Sequence, residues 1–392
     1  MKILLINNFY KSKYPSGENS LFKAESKLLS NKKNNLKIFT KNSDTIIKKN
    51  KNLFFVGLNY IWNFKVQFEI NNLLKKFKPN LIHVHNTFPL ISYSVLHLKK
   101  KIPIFLTLHN LRIFCASGDL LRNNRVCTIC IKQKSILPAL KFKCYENNFF
   151  KTLPIAINIF ILRFFKILNK KNINIFAFSK FQKKLLIKGG LNKNKIFIKK
   201  NFVENNFKHI NFSSKKDYVT FSGRLSVEKG VDKLIKCWNI WGVDAPNLKI
   251  IGNGPLFEEL KNKNSNSKIQ FLGLLDRIKT MQIIAYSKMI IFPTQCYEGM
   301  PMTILEAFSV KTPVIASNLG PISEIISHDQ NGVLFKHNNL KSMMSSIKQN
   351  WQNKKKLASI SEKAFLKYEK IYSARANYEN LLSLYNNQIK KY

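Results

Sequence analysis

The feature that most constrains this chain is a repeated alternation. Short continuous apolar runs are followed by longer segments whose apolar residues have helical spacing. Residues 3–6, 36–40, 81–84, 104–108 and 173–178 read as strands. Their apolar residues run on without alternation, as in parallel strands covered on both faces. A polar loop, 7–19, follows the first of them, and Ser20 opens a helical pattern that continues to Leu29. After the polar stretch 201–214, read as a linker, the pattern restarts. Strands are expected at 218–221, 248–251, 269–272, 289–292, 313–316 and 333–335, with helices such as 231–238, 255–261 and 301–310 between them. The tail from 341 to 392 reads as helical. No repeat of 20–50 residues is visible. Alternation of this kind specifies an α/β fold of two Rossmann-like, doubly wound domains. The expected divisions are 1–205, 206–375 and a last helix, 376–392, packing back on the first domain. Ligand loops are expected at the carboxyl ends of the strands, facing a central cleft.

Length and composition agree with two sizeable cores. The 392 residues are 45% hydrophobic and 12% aromatic, which excludes a disordered chain or a coiled coil. The net charge of +45 favours anionic partners such as nucleic acid, an acidic membrane surface or phosphorylated ligands. The basic residues are mostly Lys, and they accompany Asn along the whole chain (48–51, 192–195, 353–356). That is a bias spread over the surface, with no recognition helix or RNA-binding motif, so nucleic acid is not an expected partner. The start has four consecutive apolar residues, too few for a signal peptide. The most apolar run, 153–162, contains Asn158 and is followed by Arg163 and Lys166; it is too short to span a membrane. A cytoplasmic protein, soluble or peripheral, is expected. Its six cysteines would be reduced, metal-bound or buried.

Five segments carry candidate chemistry. The strongest is Tyr297-Glu298-Gly299-Met300-Pro301-Met302-Thr303-Ile304-Leu305-Glu306-Ala307, after the strand 289–292. Pro301 suits the first turn of a helix, whose free N–H groups and positive dipole end can hold an anion. Glu298 and Glu306 are the only acidic residues between Asp276 and Glu324. Next is Ser222-Gly223-Arg224-Leu225-Ser226-Val227-Glu228-Lys229-Gly230, after the strand 218–221. There Arg224 offers a planar fork and Lys229 a point charge for one phosphate group, and the glycines let backbone come close. Gly252-Asn253-Gly254-Pro255 is a glycine turn opening a helix, a fragment of a dinucleotide fingerprint. Pro15-Ser16-Gly17-Glu18 lies in the loop after the first strand, where Gly17 would approach a phosphate or simply make a turn. Thr107-Leu108-His109-Asn110 ends a strand, and His83 and His85 alternate on another. Each alone also fits a solvated turn or a structural histidine.

Together, in this order over roughly residues 1–335, they resemble the retaining glycosyltransferases of family 4, which have the GT-B fold. The segment 313–324 is similar to that family too. Ser16 departs from it, standing where many members carry a second Gly. The resemblance implies a nucleotide-sugar-dependent glycosyltransferase using a UDP-, GDP- or ADP-sugar, with retention and with no catalytic metal. Arg224 and Lys229 would hold the diphosphate, and Glu306 the ribose hydroxyls. Glu298 and the Gly299–Met302 backbone would contact the donor sugar, and His109 would lie near the reacting carbon. The acceptor would be a glycan or a lipid-linked glycan, bound by the first domain, in surface polysaccharide synthesis. Rival readings are a scaffold that binds a nucleotide sugar without turnover, and a GT-B phosphorylase or epimerase.

Two further features stand apart. Cys115, Cys127, Cys130 and Cys144 place Cys-x-x-Cys between two outlying cysteines, within an insertion at 115–144. That fits either a structural zinc or four reduced thiols packing a loop. The stretch 149–168 mixes Phe and aliphatics with Lys151, Arg163 and Lys166. It reads as either a core helix or a basic amphipathic segment on an anionic membrane at the inner face of the cell membrane.

Overall fold

The computed structural model describes residues 1–10, 17–31, 34–44, 53–99 and 102–391. It divides into two compact units, Met1–Leu120 with Cys127–Lys200 and Asn377–Tyr392, and Leu121–Val126 with Asn201–Ala376.

The first unit is a parallel sheet of β1 (Lys2–Phe9), β2 (Asn35–Asn42), β3 (Leu81–Asn86) and β4 (Ile104–Thr107), with two later strands. A small ribbon intervenes in the chain, β5 (Leu121–Arg122) and β6 (Arg125–Val126); then come β7 (Ile173–Ala177) and β8 (Ile196–Ile198). The spatial order is β2-β1-β3-β4-β7-β8. The order reverses between β1 and β3, so the carboxyl ends of those two strands open a crevice. Continuous apolar strands produce this burial: Ile3 to Ile6 and Leu81, Ile82 and Val84 are fully buried. Two strands depart from the sequence expectation. The edge strand β2 stays largely exposed, with Ile38 turned outward. β8 was not foreseen, because only three residues, Ile-Phe-Ile between lysines, form it.

The helix Gly17–Asn31 packs a stripe of Leu21, Phe22, Glu25 and Leu29 inward at helical spacing. It begins three residues before Ser20, so Gly17 opens a helix and does not sit in a loop; Pro15 and Ser16 lie outside the described residues. The helix Ala374–Ile389 contributes Leu381 and Tyr385 to the same core as Ile3, Leu5, Phe105 and Phe176.

The second unit holds β9 (Lys216–Ser222), β10 (Asn247–Ile251), β11 (Ile269–Gly273), β12 (Ser287–Phe292), β13 (Val314–Asn318) and β14 (Val333–Lys336). All are parallel, in the order β11-β10-β9-β12-β13-β14. This is the doubly wound order with its reversal between β9 and β12. The stretch read as a linker is not a solvated one. Phe202 and Val203 are buried, the Tyr368 hydroxyl donates to the Val203 carbonyl at 2.9 Å, and Val203 bridges Ser373. The helical tail is broken into Leu340–Gln352, Lys354–Lys367, a π-helical turn and the last helix. Asn353 ends the first of these and caps the second through Lys356 N–H.

Candidate functional site

In the second unit the two strongest sequence segments follow β9 and β12, the strands on either side of the reversal. The loops are knitted together. Gln295 N–H donates to the Glu228 carbonyl at 2.8 Å, and the Thr294 hydroxyl approaches the same oxygen at 3.2 Å. Gly230 makes this possible. Its φ is +69°, and a Cβ there would stand 2.2 Å from the Pro293 carbonyl oxygen.

The knitting brings Lys229 and Glu298 into direct contact. Lys229 Nζ lies 2.7 Å from Glu298 Oε1, and the Thr294 hydroxyl donates to the same oxygen at 2.9 Å. Burial alone would lower the Lys229 pKa, but the Glu298 carboxylate, helped by Cys296 and Glu228, holds it above the usual lysine range. Lys229 therefore stays cationic at any ordinary pH. Arg224 stands exposed on the loop after β9.

Gly223, Gly252 and Gly254 have a shared structural task. The loops after β9 and β10 are zipped by Gly223 N–H to the Ile251 carbonyl and Leu225 N–H to the Asn253 carbonyl. A Cβ on Gly252 would stand 1.9 Å from the Gly223 oxygen, and one on Gly254 would stand 2.4 Å from the Leu225 oxygen. The Gly252 turn precedes the helix Phe257–Asn262, which starts two residues later than expected.

After Gly299 comes the helix Met302–Ser309, with Pro301 as its N-cap and no side chain capping its first N–H groups. Met300 is buried, and its sulfur accepts the Asn201 N–H at 3.1 Å, which anchors the loop. Glu306 sits within that helix, its carboxyl pushed up by burial and opposed by Arg277. The site therefore offers a cation, two carboxylates and free helix N–H groups, arranged beside a strand reversal.

In the first unit a polar pocket opens at the carboxyl ends of β1, β3 and β4. Its walls include Tyr10, Glu18, His85, His109, Asn110 and Arg112. His109 Nε2 lies 3.3 Å from His85 Nδ1, and burial pushes the His109 pKa well down. His83 points away into the core, 2.7 Å from Thr107 Oγ1. Sequence reasoning missed Arg112 and Thr294. The Arg112 guanidinium lies 4.0 Å from the Phe88 ring centre and Nη2 donates to the Ser117 carbonyl. Glu18, at the pocket, has its carboxyl pushed up to about 7 by desolvation, with Arg112 opposing.

The cysteine-rich segment includes the ribbon β5–β6, whose Asn123 and Asn124 both take positive φ as a tight hairpin requires. Burial, then Cys115, Cys144 and Cys127, push the Cys130 thiol up to about 11. Among the described residues, the trio whose ligand atoms lie within 4.8 Å of one another is Glu25, His83 and His85; the four thiols are not drawn that close.

The helix Phe149–Phe164 packs one face into the core of the first unit, as the core-helix reading expects. Ile155, Ala156 and Ile159 pack against Tyr60, Ala116, Ile136 and Ala139. Asn158, inside the apolar run, donates to the Tyr60 and Ile61 carbonyls that end the helix Leu53–Ile61. The opposite face exposes Phe150, Phe160, Phe164 and the following Phe165. Arg163 does not belong to a basic outer face: it lies over the Phe114 ring and donates to the Cys130 carbonyl at 3.3 Å. Among the described residues no helix is long and apolar enough to cross a membrane.

The family model "Glycosyltransferase Family 4" matches residues 26–206, and "Glycosyl transferases group 1" matches residues 202–367. An uncharacterized glycosyltransferase of Haemophilus influenzae is 29% identical over 151 residues, 38% of this chain and 43% of that protein. The chain therefore spans less than half the length of that relative. One from Methanocaldococcus jannaschii is 27% identical over 299 residues, 75% of this chain and 71% of its own length. An Anabaena protein solved in complex with UDP-glucose superposes with a TM-score of 0.69 at 15% identity, covering 99% of this chain and 100% of its own. Two six-stranded parallel sheets, two family domains covering residues 26–367 between them and a fold shared end to end lead to one conclusion. The chain belongs to the glycosyltransferases that join a family 4 domain to a group 1 domain, with the GT-B fold.

Proposed function

We propose that this chain transfers a sugar, with retention, from a nucleotide diphosphate sugar to a glycan or lipid-linked acceptor in surface polysaccharide synthesis. The observation that carries this reading is the Lys229–Glu298 pair beside the strand reversal of the second unit, on the two segments that match the family's motifs. Arg224 and Lys229 bind the diphosphate and stabilise the negative charge that grows on the leaving nucleotide as the glycosidic bond breaks. The uncapped N–H groups of the helix Met302–Ser309 add a positive dipole end. Glu298, with the backbone of 299–302, contacts the donor sugar; Glu306 takes the ribose hydroxyls. His109 serves the donor sugar near its reacting carbon. The Anabaena protein was solved with UDP-glucose, which makes a UDP-sugar the first donor to try. Glu298→Gln and Lys229→Ala should each cost at least a hundredfold in transfer while leaving the melting temperature nearly unchanged. Wild-type turnover in both variants would remove the site assignment.

Two further parts of the reading follow. Soft thiolate donors in a Cys-x-x-Cys frame suit zinc, so Cys115, Cys127, Cys130 and Cys144 would hold a structural ion that staples their segment. Metal analysis of protein purified with zinc should give one ion per chain, lost in Cys127→Ser with Cys130→Ser. The exposed phenylalanines of 150–165 with Lys166 form an apolar face in a basic chain, as binding to an anionic membrane surface requires. Vesicles containing anionic lipid should sediment the protein, and Phe150→Ser with Phe164→Ser should weaken that.

A further inference from the structure

A buried ionic cluster lies behind His109, built entirely from the first unit. Glu25 belongs to the inward stripe of the helix Gly17–Asn31 and is fully buried. One carboxylate oxygen, Oε2, meets the ammonium of the equally buried Lys199. The other, Oε1, lies 3.1 Å from His83 Nδ1 and 3.3 Å from His85 Nε2. The Tyr385 hydroxyl, from the last helix, is 2.6 Å from His83 Nδ1, and Thr107 Oγ1 is 2.7 Å from His83 Nε2. The far nitrogen of His85, Nδ1, is 3.3 Å from His109 Nε2.

Glu25, His83 and His85 are spaced closely enough for a metal ion. The Lys199 ammonium already neutralises that carboxylate, and a second cation beside it would meet like charge in a medium of low dielectric. The cluster's chemistry is instead that of a proton lock. An ionised carboxylate only accepts, and although the 3.3 Å His85 Nε2–Glu25 Oε1 approach is not aligned as a hydrogen bond, the carboxylate's field in this buried setting favours the proton on the nitrogen that faces it. His85 is then the Nε2–H tautomer, and its Nδ1 holds a lone pair. That lone pair faces His109 Nε2, which must in turn carry a proton. A neutral His109 has only one, so its Nδ1 is left as an acceptor.

We propose that Glu25 and His85 are positioning residues that fix His109 as its Nε2–H tautomer, leaving Nδ1 to accept a hydrogen bond from a sugar hydroxyl. Burial supports neutral rings at His83 and His109: it pushes the His83 pKa down to about 3 and that of His109 well below its ordinary value. The Lys199 charge keeps Glu25 ionised despite its burial, with His85 and His83 assisting. The role toward sugar rests on the assignment of His109 under the proposed function; the tautomer does not.

The test is a nitrogen spectrum of the full chain labelled with ring-15N histidine, with His109 signals identified by their absence in His109→Ala. At pH 7 the wild type should show His109 as the neutral Nε2–H form. His85→Phe, which removes the acceptor, should mix the two tautomers and cost about tenfold in transfer. His85→Asn, whose side-chain oxygen stands near the lost Nδ1, should restore both. An Nδ1–H ring in the wild type overturns the proposal, and so does an unchanged tautomer in His85→Phe. Should His85→Phe fail to fold, the wild-type spectrum decides alone. If the tautomer is as stated but His109→Ala transfers at the wild-type rate, the role toward sugar is overturned and the lock stands.

Discussion

Glu298→Gln should tighten the binding of a free nucleoside diphosphate while stopping turnover. The Lys229 ammonium is committed to Glu298 Oε1 at 2.7 Å. A diphosphate must compete for it. At that distance the bare attraction is about 6 kcal/mol for an effective dielectric constant of 20. The side chains are 26% and 13% exposed, so screening and desolvation cancel most of this; about 1.5 kcal/mol survives, as for a charge-assisted hydrogen bond. Glutamine keeps the shape and removes the charge. Lys229 is then free for phosphate, and the carboxylate no longer repels it. Each 1.4 kcal/mol is tenfold, so UDP should bind about tenfold tighter to the variant. Titration calorimetry with UDP, and with GDP and ADP as alternatives, measures this directly. Sugar release from the matching nucleotide sugar should fall in the same variant. Unchanged or weaker binding of all three nucleotides would show that Lys229 is not the phosphate ligand, or that its pairing with Glu298 does not oppose binding.

Other perturbations read other parts of the structure. Gly230→Ala places a Cβ 2.2 Å from the Pro293 oxygen at a positive φ, so it should cost about 3 kcal/mol in thermal or denaturant unfolding and abolish activity; an unchanged melt would mean the two loops are not locked as described. Asn158→Ala leaves the Tyr60 and Ile61 carbonyls without their buried donor and should cost about 2 kcal/mol, against no measurable change for an exposed asparagine. Glu18, with its carboxyl raised to about 7, binds a proton in the folded state that the unfolded chain has already lost. Its contribution to stability is present below about pH 4 and disappears as pH rises through 7. Glu18→Gln should therefore flatten the fall of the unfolding free energy between pH 4.5 and 7; an identical pH profile in the variant would contradict that environment.

The fold was legible because parallel strands buried on both faces demand continuous apolar runs, and 3–6, 81–84, 218–221 and 289–292 supplied them. β8 was not, since three apolar residues between lysines carry no periodicity. Glycine beside glutamate has the look of a turn, so the sequence points to a loop at Gly17, whereas the helix starts there. Lys229 and Glu298 were each visible within a motif, but their contact spans 69 residues and only the reversal of strand order between β9 and β12 brings it about. Gly252 and Gly254 were visible as a glycine turn, yet their partner, the backbone of 223–225, could not be read from their own neighbourhood. Glu25 does carry a signal in the sequence. It is one of only 21 acidic residues, and it falls on the apolar stripe of a helix, where an unpaired charge would not survive. Its partners Lys199 and Tyr385 come from far along the chain, and no spacing rule would have found them.

The central claim is that the second unit's loops hold a nucleotide sugar whose sugar is transferred. The most direct measurement is nucleotide release from purified wild-type protein offered UDP-, GDP- and ADP-sugars in turn, with melting temperature followed in parallel. One donor should both raise the melting temperature and be slowly consumed, and Lys229→Ala should do neither with it. A donor that stabilises the wild type and the Lys229→Ala variant equally, or is consumed equally by both, would contradict the account.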